Sequence, residues 1–372
     1  LTDMQFGIFH TVQLHESLTA PEALNNALEE ILLAEQLGLN ETWLGEHHFS
    51  RHGLLSGIHS FLGHVAAKTS KIRIGTGITV LPFHNPIIIA SEAAMIDVLS
   101  NGRFDLGVGR GYQLQEFEGL GVDVEEATDR FRESIEVITK AWTEEKLTFN
   151  GKFTNVSDKW IIPKPVQNPI PIVVAVSTTP ETIDFAASKG LTVMVGGPTA
   201  VLGQAPDVIK TWRSKMEEYG HKHEHIDPPV QLPIYVAPTM EEAINDPKGY
   251  DDFSLKILAK IGTPIKKDGT IPKGYDQWVN RQKDREGILT QNNQIPLLRG
   301  TPEMLVEKLL ICKEKGVKNI FGSFGFPGMD KKKTQRSIEL FGTKVLPELE
   351  KLELSLIHIS EPTRRTPISY AV

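Results

Sequence analysis

The sequence predicts a TIM (β/α)8 barrel, an α/β fold of eight parallel strands each followed by a helix, with a long insertion after strand seven. Three observations predict it. Short apolar, β-branched runs recur at residues 4–9, 42–44, 72–81, 104–108, 172–176, 192–195, 230–236 and 317–321. Helical periodicity fills the intervals, at 22–37, 59–69, 86–99, 130–142, 180–188, 205–219, 302–315 and 334–352. The glycine turn that would open a doubly wound sheet is missing. Its nearest counterpart, Gly107-Val108-Gly109-Arg110-Gly111, has the wrong spacing and follows the fourth run rather than the first. Eight repeats of strand then helix therefore favour a closed sheet over an open one.

The first helix has the best-marked start. Thr19 supplies an N-cap, Pro21 a helix-start proline and Glu22 the capping-box carboxylate. Leu24, Leu28, Ile31 and Ala34 or Glu35 then repeat at helical spacing until Gly38 closes the element. The second strand runs into Glu46-His47-His48-Phe49, the third into Ile74-Gly75-Thr76-Gly77-Ile78, and the fourth into Gly109-Arg110-Gly111-Tyr112. The fifth leads through Val176-Ser177-Thr178-Thr179 to Pro180, where a helix begins. Residues 238–300 break the rhythm with several Pro, Gly and Lys and two short helical patterns, 253–261 and 278–286. An insertion at the carboxyl end of a barrel strand is where a lid belongs, though a surface excursion would read the same way. Residues 1–354 form a single domain on this reading. Residues 355–372 have no helical or strand period and read as a non-native tail, and Leu1, with Met4 following, leaves the native start open.

Composition narrows the function. Forty Lys and Arg against 47 Asp and Glu leave a net charge of −7 over 372 residues, which argues against nucleic acid as a partner. A single cysteine, Cys312, cannot form an intrachain bridge and fits a reducing cytosol. No uncharged apolar run approaches a membrane span and no secretory leader is evident, so a soluble cytoplasmic protein is expected.

In a barrel, reacting groups belong at the carboxyl ends of strands. Glu46, His47 and His48 are three titratable side chains in a row, and alternation sends one imidazole toward the mouth and the other sideways. Histidine moves protons near neutral pH, although packed, satisfied histidines would give the same pattern. Glycines at 75, 77, 107, 109 and 111 either let a flat ligand or phosphate approach the backbone or serve tight rim packing. Arg110 offers a fork of donors, and the hydroxyls of residues 177–179 at a helix start form an anion site or an ordinary cap. His221, His223 and His225 alternate in a loop without a metal-ligand pattern, so no metal is expected. H-E-x-x-H, Walker and G-x-S-x-G motifs are absent, which removes the main support for hydrolase and triphosphatase readings.

Met4-Gln-Phe-Gly-Ile-Phe9, Trp43-Leu-Gly-Glu-His-His-Phe49, Gly75-Thr-Gly77 to Pro82, Asn85-Pro86, Gly102-Arg-Phe104 through Gly111, 172–177 and Gly300-Thr-Pro-Glu303 occur together and in order. On these motifs the chain resembles the bacterial-luciferase-like flavin-dependent monooxygenases. The resemblance implies a barrel that binds reduced FMN at its mouth, adds molecular oxygen at flavin C4a and passes one oxygen atom to a small organic substrate. It implies His47 as the catalytic histidine, supported by His48 and Glu46. Gly77 and Ile78 correspond to a non-proline cis peptide under the flavin ring, and Gly109 takes the place of a reactive cysteine beside it. Arg110, Arg130, Val176 and Ser177, with Thr178 or Thr179, correspond to the phosphate site. A flavin reductase as supplier of reduced FMN and a homodimer through helices 59–69 and 86–99 are further implications. Gly109 and the Gly196-Gly197 pair, which stands where luciferases carry an aromatic residue, speak against light emission and a long-chain aldehyde. Relatives on the same barrel imply two alternatives, a deazaflavin-dependent hydride-transfer enzyme and a non-catalytic partner subunit.

Overall fold

The computed structural model describes residues 3–201, 203–248, 250, 264–276, 279–280 and 297–352. Its centre is a ring of parallel strands: β1 (Gln5–His10), β2 (Glu41–Leu44), β3 (Arg73–Thr76), β4 (Phe104–Gly109), β5 (Ile172–Val176), β6 (Thr192–Val195), β7 (Pro229–Gln231) and β8 (Asn319–Gly322). Each pairs with its neighbours in sequence, and β8 returns to β1 with Asn319 opposite Gln5, so the ring has no open edge. The principal helices outside it are α1 (Ala20–Gln36), α2 (Ile58–Lys68), α3 (Pro86–Ser100), α4 (Ala127–Thr143), α5 (Pro180–Ser188), α6 (Ala205–Glu218), α7 (Pro302–Glu314) and α8 (Lys331–Leu340). Among the described residues no helix is long and apolar enough to cross a membrane.

Local chemistry sets the helix ends. Before α1 the Glu22 carboxylate accepts both the Thr19 backbone N–H, at 2.8 Å, and its hydroxyl, at 2.7 Å. The buried line of α1 is Ala23, Ala27, Ile31 and Ala34, while Leu24 and Leu28 pack half-buried at its margin. At α3 the Asn85 side chain accepts from Ile87 N–H at 2.9 Å, and Trp142 Nε1 donates to Ala90 O at 2.9 Å, which docks α4 on α3.

Strand alternation divides the core. Outward residues pack under the helices, while Phe9, Trp43, Val173, Met194 and Phe321 fill the barrel with Ile78 against them. One level below, toward the amino ends of the strands, the inward positions are polar: Gln5, Glu41, Arg73, Asp105 and Asn319.

Four elements differ from the sequence reading. The third run is two pieces, β3 and the short strand Thr79–Val80, separated by a cis peptide between Gly77 and Ile78; Thr79–Val80 pairs with the end of β4. The seventh run splits at Pro233 into β7 and Ile234–Val236, and the latter pairs with Leu298–Gly300 outside the ring. An antiparallel hairpin, Lys146–Asn150 with Asn155–Trp160, precedes β5; its second strand is mostly exposed and charged, so no apolar alternation marked it. The last helix starts at Lys331 because Asp330 caps it, accepting from Lys332 N–H at 2.9 Å, and it continues past a π-helical turn at Phe341–Val345. The expected tail at 355–372 and the helical pattern at 253–261 lie outside the described residues, as does the pattern at 278–286 apart from residues 279 and 280.

Candidate active site

The strand ends expected to carry chemistry surround one mouth. The register pairs Leu44 with Thr76 and Val108 with Val174. Arg110 and Val176 therefore stand level, two residues beyond the last of these pairs.

Glu46 organises the rim of β2. Its Oε1 accepts from His48 Nε2 at 2.7 Å and from His84 Nε2 at 2.8 Å, while Oε2 accepts from Val80 N–H at 2.7 Å. Burial works to raise the Glu46 carboxyl, but hydrogen bonds from His48 and His84, the His84 charge and the Val80 N–H outweigh it and hold it down at about 2. In return the Glu46 hydrogen bond pushes the His48 imidazole up, against the opposing effect of burial.

His47 turns the other way. Its Nδ1 lies 3.1 Å from Glu116 Oε1, and the same carboxylate oxygen accepts the His48 backbone N–H at 2.8 Å. A carboxylate only accepts, so toward Glu116 it is Nδ1 that donates; Nε2 has no hydrogen-bond partner among the described residues. The Gln113 amide nitrogen also lies 3.1 Å from Nδ1, so one ring tautomer serves either Glu116 or Gln113 there, and the His52 ring packs at 4.6 Å. Burial, with the nearby His47, lowers His52 to about 3, so it is a neutral neighbour that accepts from Gln13 Nε2 at 2.8 Å. Glu116 and Gln113 belong to the segment that leaves β4 through Arg110 and Gly111. Gly111 turns that segment at φ 76°, and the short helix Leu114–Leu120 follows.

The expected phosphate group is partly assembled. Arg110 donates to Thr128 Oγ1 at 2.9 Å and to Gly274 O at 3.3 Å, and its guanidinium lies 5.0 Å from the centre of the Tyr275 ring. Past the end of the neighbouring strand β5, Ser177 Oγ and Thr179 Oγ1 are 3.1 Å apart at the start of α5, with Thr178 half-buried between them. Val176 faces the outer core, so only its backbone is available to the mouth. Arg130 is engaged elsewhere: its Nε and Nη2 donate to Glu126 Oε2 at 2.9 and 2.8 Å, and it stacks on Phe153 at 4.4 Å.

The glycines answer to packing first. A Cβ on Gly107 would meet Thr76 O at 1.8 Å, and one on Gly109 would meet Ile78 Cδ1 at 2.2 Å. Gly109 thus makes room for Ile78, whose side chain joins Phe9 and Trp43 in an apolar bed beneath the mouth. Gly77 sits on that bed, 3.3 Å from Phe9 and Trp43 carbons by the same measure. A cationic fork, two hydroxyls and a helix N-terminus suit a phosphate, and the apolar bed suits a flat aromatic ring, so the residues present fit a phosphorylated flavin or deazaflavin.

The sequence reading missed Glu116, Gln113, His52, His84, Thr128 and Tyr275. His84, one residue before Asn85-Pro86, was the most visible of these, but nothing in its spacing joins it to Glu46. The contacts of Glu116 and Tyr275 depend on loop paths that periodicity does not encode.

An eight-stranded parallel barrel with a histidine–carboxylate rim at the carboxyl ends of its strands defines a TIM barrel with the mouth that enzymes of this fold use. The chain belongs to the luciferase-like monooxygenase family, whose model matches residues 4–319. It is 33% identical over 195 residues to the oxygenase component of a flavin-dependent trigonelline monooxygenase from Acinetobacter baylyi, covering 52% of this chain and 54% of that one. An F420-dependent glucose-6-phosphate dehydrogenase from Kineococcus radiotolerans is 29% identical over 241 residues, 61% of this chain and 68% of that one. The solved oxygenating constituent of 3,6-diketocamphane monooxygenase from Pseudomonas putida, in complex with FMN, shares the fold: TM-score 0.71, 16% identity, 94% of this chain and 99% of that one.

Proposed function

We propose that this chain is the oxygenating component of an FMN-dependent monooxygenase that inserts one atom of molecular oxygen into a small organic substrate. The observation that carries the reading is the path of residues 110–116. One short segment carries Arg110 at the end of β4, which pairs with the β5 strand that leads to Ser177 and Thr179, and Glu116, whose carboxylate lies 3.1 Å from His47 Nδ1. Reduced FMN, when bound, supplies the electrons that activate oxygen. Arg110, Ser177, Thr179 and the start of α5 hold its phosphate, and Gly77, Ile78 and the Trp43 bed carry its ring. His47, fixed by Glu116, holds or moves a proton at Nε2. Residues 264–276 act as a lid, with Tyr275 over Arg110 and its hydroxyl donating to Gly111 O at 2.9 Å, to keep water from the reacting atoms.

The name of the A. baylyi relative, an oxygenase component, supports a separate flavin reductase as the source of reduced FMN. The outer face of α3 supports a homodimer: Ile88, Met95 and Leu99 are 54%, 46% and 63% exposed in the single chain.

The test is oxygen uptake with reduced FMN and a panel of ketones, aldehydes, aromatic acids and terpenes, on wild type and His47→Ala. Wild type is expected to consume oxygen with product formation. The variant is expected to keep its FMN affinity and lose most product. Unchanged product yield in His47→Ala would remove the role given to His47. The F420-dependent relative supports a second reading, hydride transfer from a deazaflavin. Tight deazaflavin binding without FMN binding would favour it.

A further inference from the structure

The reaction proposed above uses His47 at β2 and places the flavin against β3, β4 and β5, and it leaves the end of β7 without a role. Gln231 closes that strand. The register pairs Gln231 with Phe321, and Val230 with Ile320 and Val195. Val230, Ile320 and Val195 pack in the outer core, whereas Phe321 fills the barrel with Phe9 and Trp43, at ring-centre distances of 5.6 and 5.7 Å. Alternation therefore turns the Gln231 side chain inward, toward the mouth. The two ends of its carboxamide are in different situations. Oε1 accepts the Gly197 N–H at 3.1 Å. An N–H must meet an oxygen, which fixes which end is which. Nε2 then points away from Gly197; it makes no hydrogen bond among the described residues, and Gln231 is only half-buried. Gly196 leaves room for this arrangement, since a Cβ there would come within 3.0 Å of Oε1. The Gly196-Gly197 pair thus lets the carboxamide lie against the end of β6 with its donor end free.

We propose that Gln231 orients the substrate, its Nε2 donating to a neutral acceptor oxygen on a small, otherwise apolar molecule. The inference rests on the reading of the mouth as an oxygenase site and narrows what that site takes. An NH2 group donates, so it favours a molecule with an acceptor oxygen over a hydrocarbon of the same shape. It is uncharged and no cationic side chain bonds to it, so it offers little to offset the desolvation of a carboxylate. β7 stands two strand spacings from β5, about 10 Å, so an oxygen held by Gln231 stays clear of a phosphate held by Ser177.

The test uses three probes of matched shape, cyclohexanone, methylenecyclohexane and cyclohexanecarboxylate, titrated by NMR into the whole protein at neutral pH with and without FMN. Wild type is expected to bind cyclohexanone about tenfold more tightly than the other two, with a shift of the Gln231 side-chain amide signal. Gln231→Leu and Gln231→Glu are both expected to lose that preference while FMN affinity, titrated on the same samples, stays unchanged. Glu keeps an oxygen for the Gly197 N–H but cannot donate, so a merely structural role would leave the preference intact in Gln231→Glu. No preference in wild type, a preference that survives in Gln231→Glu, or FMN affinity that falls in both variants overturns the inference. Preference lost in both variants of a protein that takes up no oxygen with reduced FMN would support Gln231 and overturn the oxygenase reading alone. Should the variants fail to fold, the amide shift in wild type decides.

Discussion

Replacing Glu46 by Gln tests the reading of the β2 rim. The carboxylate accepts from His48, His84 and the Val80 N–H, and its side chain is fully buried, so solvent does not screen these interactions. Its folded pKa of about 2 lies below its ordinary 4.5, so the folded state favours the charged form. The stabilisation is therefore complete above pH 4.5 and is lost as pH falls toward 2. Its size follows from the difference at about 1.4 kcal/mol per pH unit, roughly 3 kcal/mol. Gln keeps one acceptor oxygen but turns an NH2 toward a group that also donates, so loss of the whole amount is reasonable. With unfolding entropy near 2.1 cal/mol/K per residue, that is a drop in Tm of about 4 °C. Urea unfolding of both proteins at pH 7 and pH 3 measures it. The gap is expected to be about 3 kcal/mol at pH 7 and less than half of that at pH 3. His48, observed by NMR, is expected to titrate lower in the variant. Equal stability at pH 7, or a gap that does not shrink at pH 3, refutes the argument.

Other outcomes follow from single contacts. Arg110→Ala removes a charge-assisted fork, and FMN titration is expected to show affinity weakened roughly 10- to 100-fold. Gly107→Ala drives a Cβ to 1.8 Å from the Thr76 carbonyl, a backbone atom that cannot step aside, and is expected to cost more than about 4 kcal/mol or to prevent folding. Gly109→Ala meets only the tip of Ile78, at 2.2 Å, and thermal melts are expected to show a cost of about 1–3 kcal/mol. The double variant Met95→Glu, Leu99→Glu is expected to sediment as a monomer where the wild type sediments as a dimer.

The ring was legible because each barrel strand is a dense apolar run and each following helix carries a starting signal such as Thr19-Ala20-Pro21-Glu22 or Asn85-Pro86. Where the chain leaves the ring without changing composition, as at Gly77–Ile78 and Pro233, one run was read for two strands. Pro233 was a visible marker. The break after Thr76 left no mark in the periodicity, because the glycine that accommodates it, Gly107, lies on another strand, although the family resemblance puts a cis peptide at Gly77–Ile78, where the structure has one. In the site, Glu46, His47 and Arg110 stood out as titratable or cationic groups at strand ends. Glu116 did not, since its partner is 69 residues away and only the turn at Gly111 brings them together. Arg130 was expected with the phosphate group, and its tie to Glu126 is an i,i−4 pair that helical spacing alone offers as an alternative.

Glu41 and Glu46 lie on the same short stretch of chain, both buried, and behave oppositely because their partners differ. At the mouth, Glu46 meets two imidazoles and a backbone N–H. At the floor, burial dominates and pushes Glu41 up to about 7. The Trp43 and Asn319 interactions and the Arg73 charge only partly offset burial, and Asp105 adds to it. Arg73 is already committed to Asp105, and it also feels Asp97 from α3, so it is not a full counter-ion for Glu41. A folded pKa above the ordinary 4.5 means the folded state prefers the protonated form. Glu41 therefore costs nothing below pH 4.5 and destabilises increasingly as pH rises through 7, by about 3 kcal/mol at the upper limit. Taken with Glu46, whose contribution is complete above pH 4.5, the pair gives a combined maximum near pH 5 and a decline toward neutrality. Glu41→Gln removes the decline and leaves the acid side untouched. Unfolding free energies at pH 5 and pH 8 are expected to show the variant gaining about 2–3 kcal/mol on the wild type between them. A gap that stays constant over that range would mean that Glu41 keeps one protonation state throughout, and the account of the floor would fail.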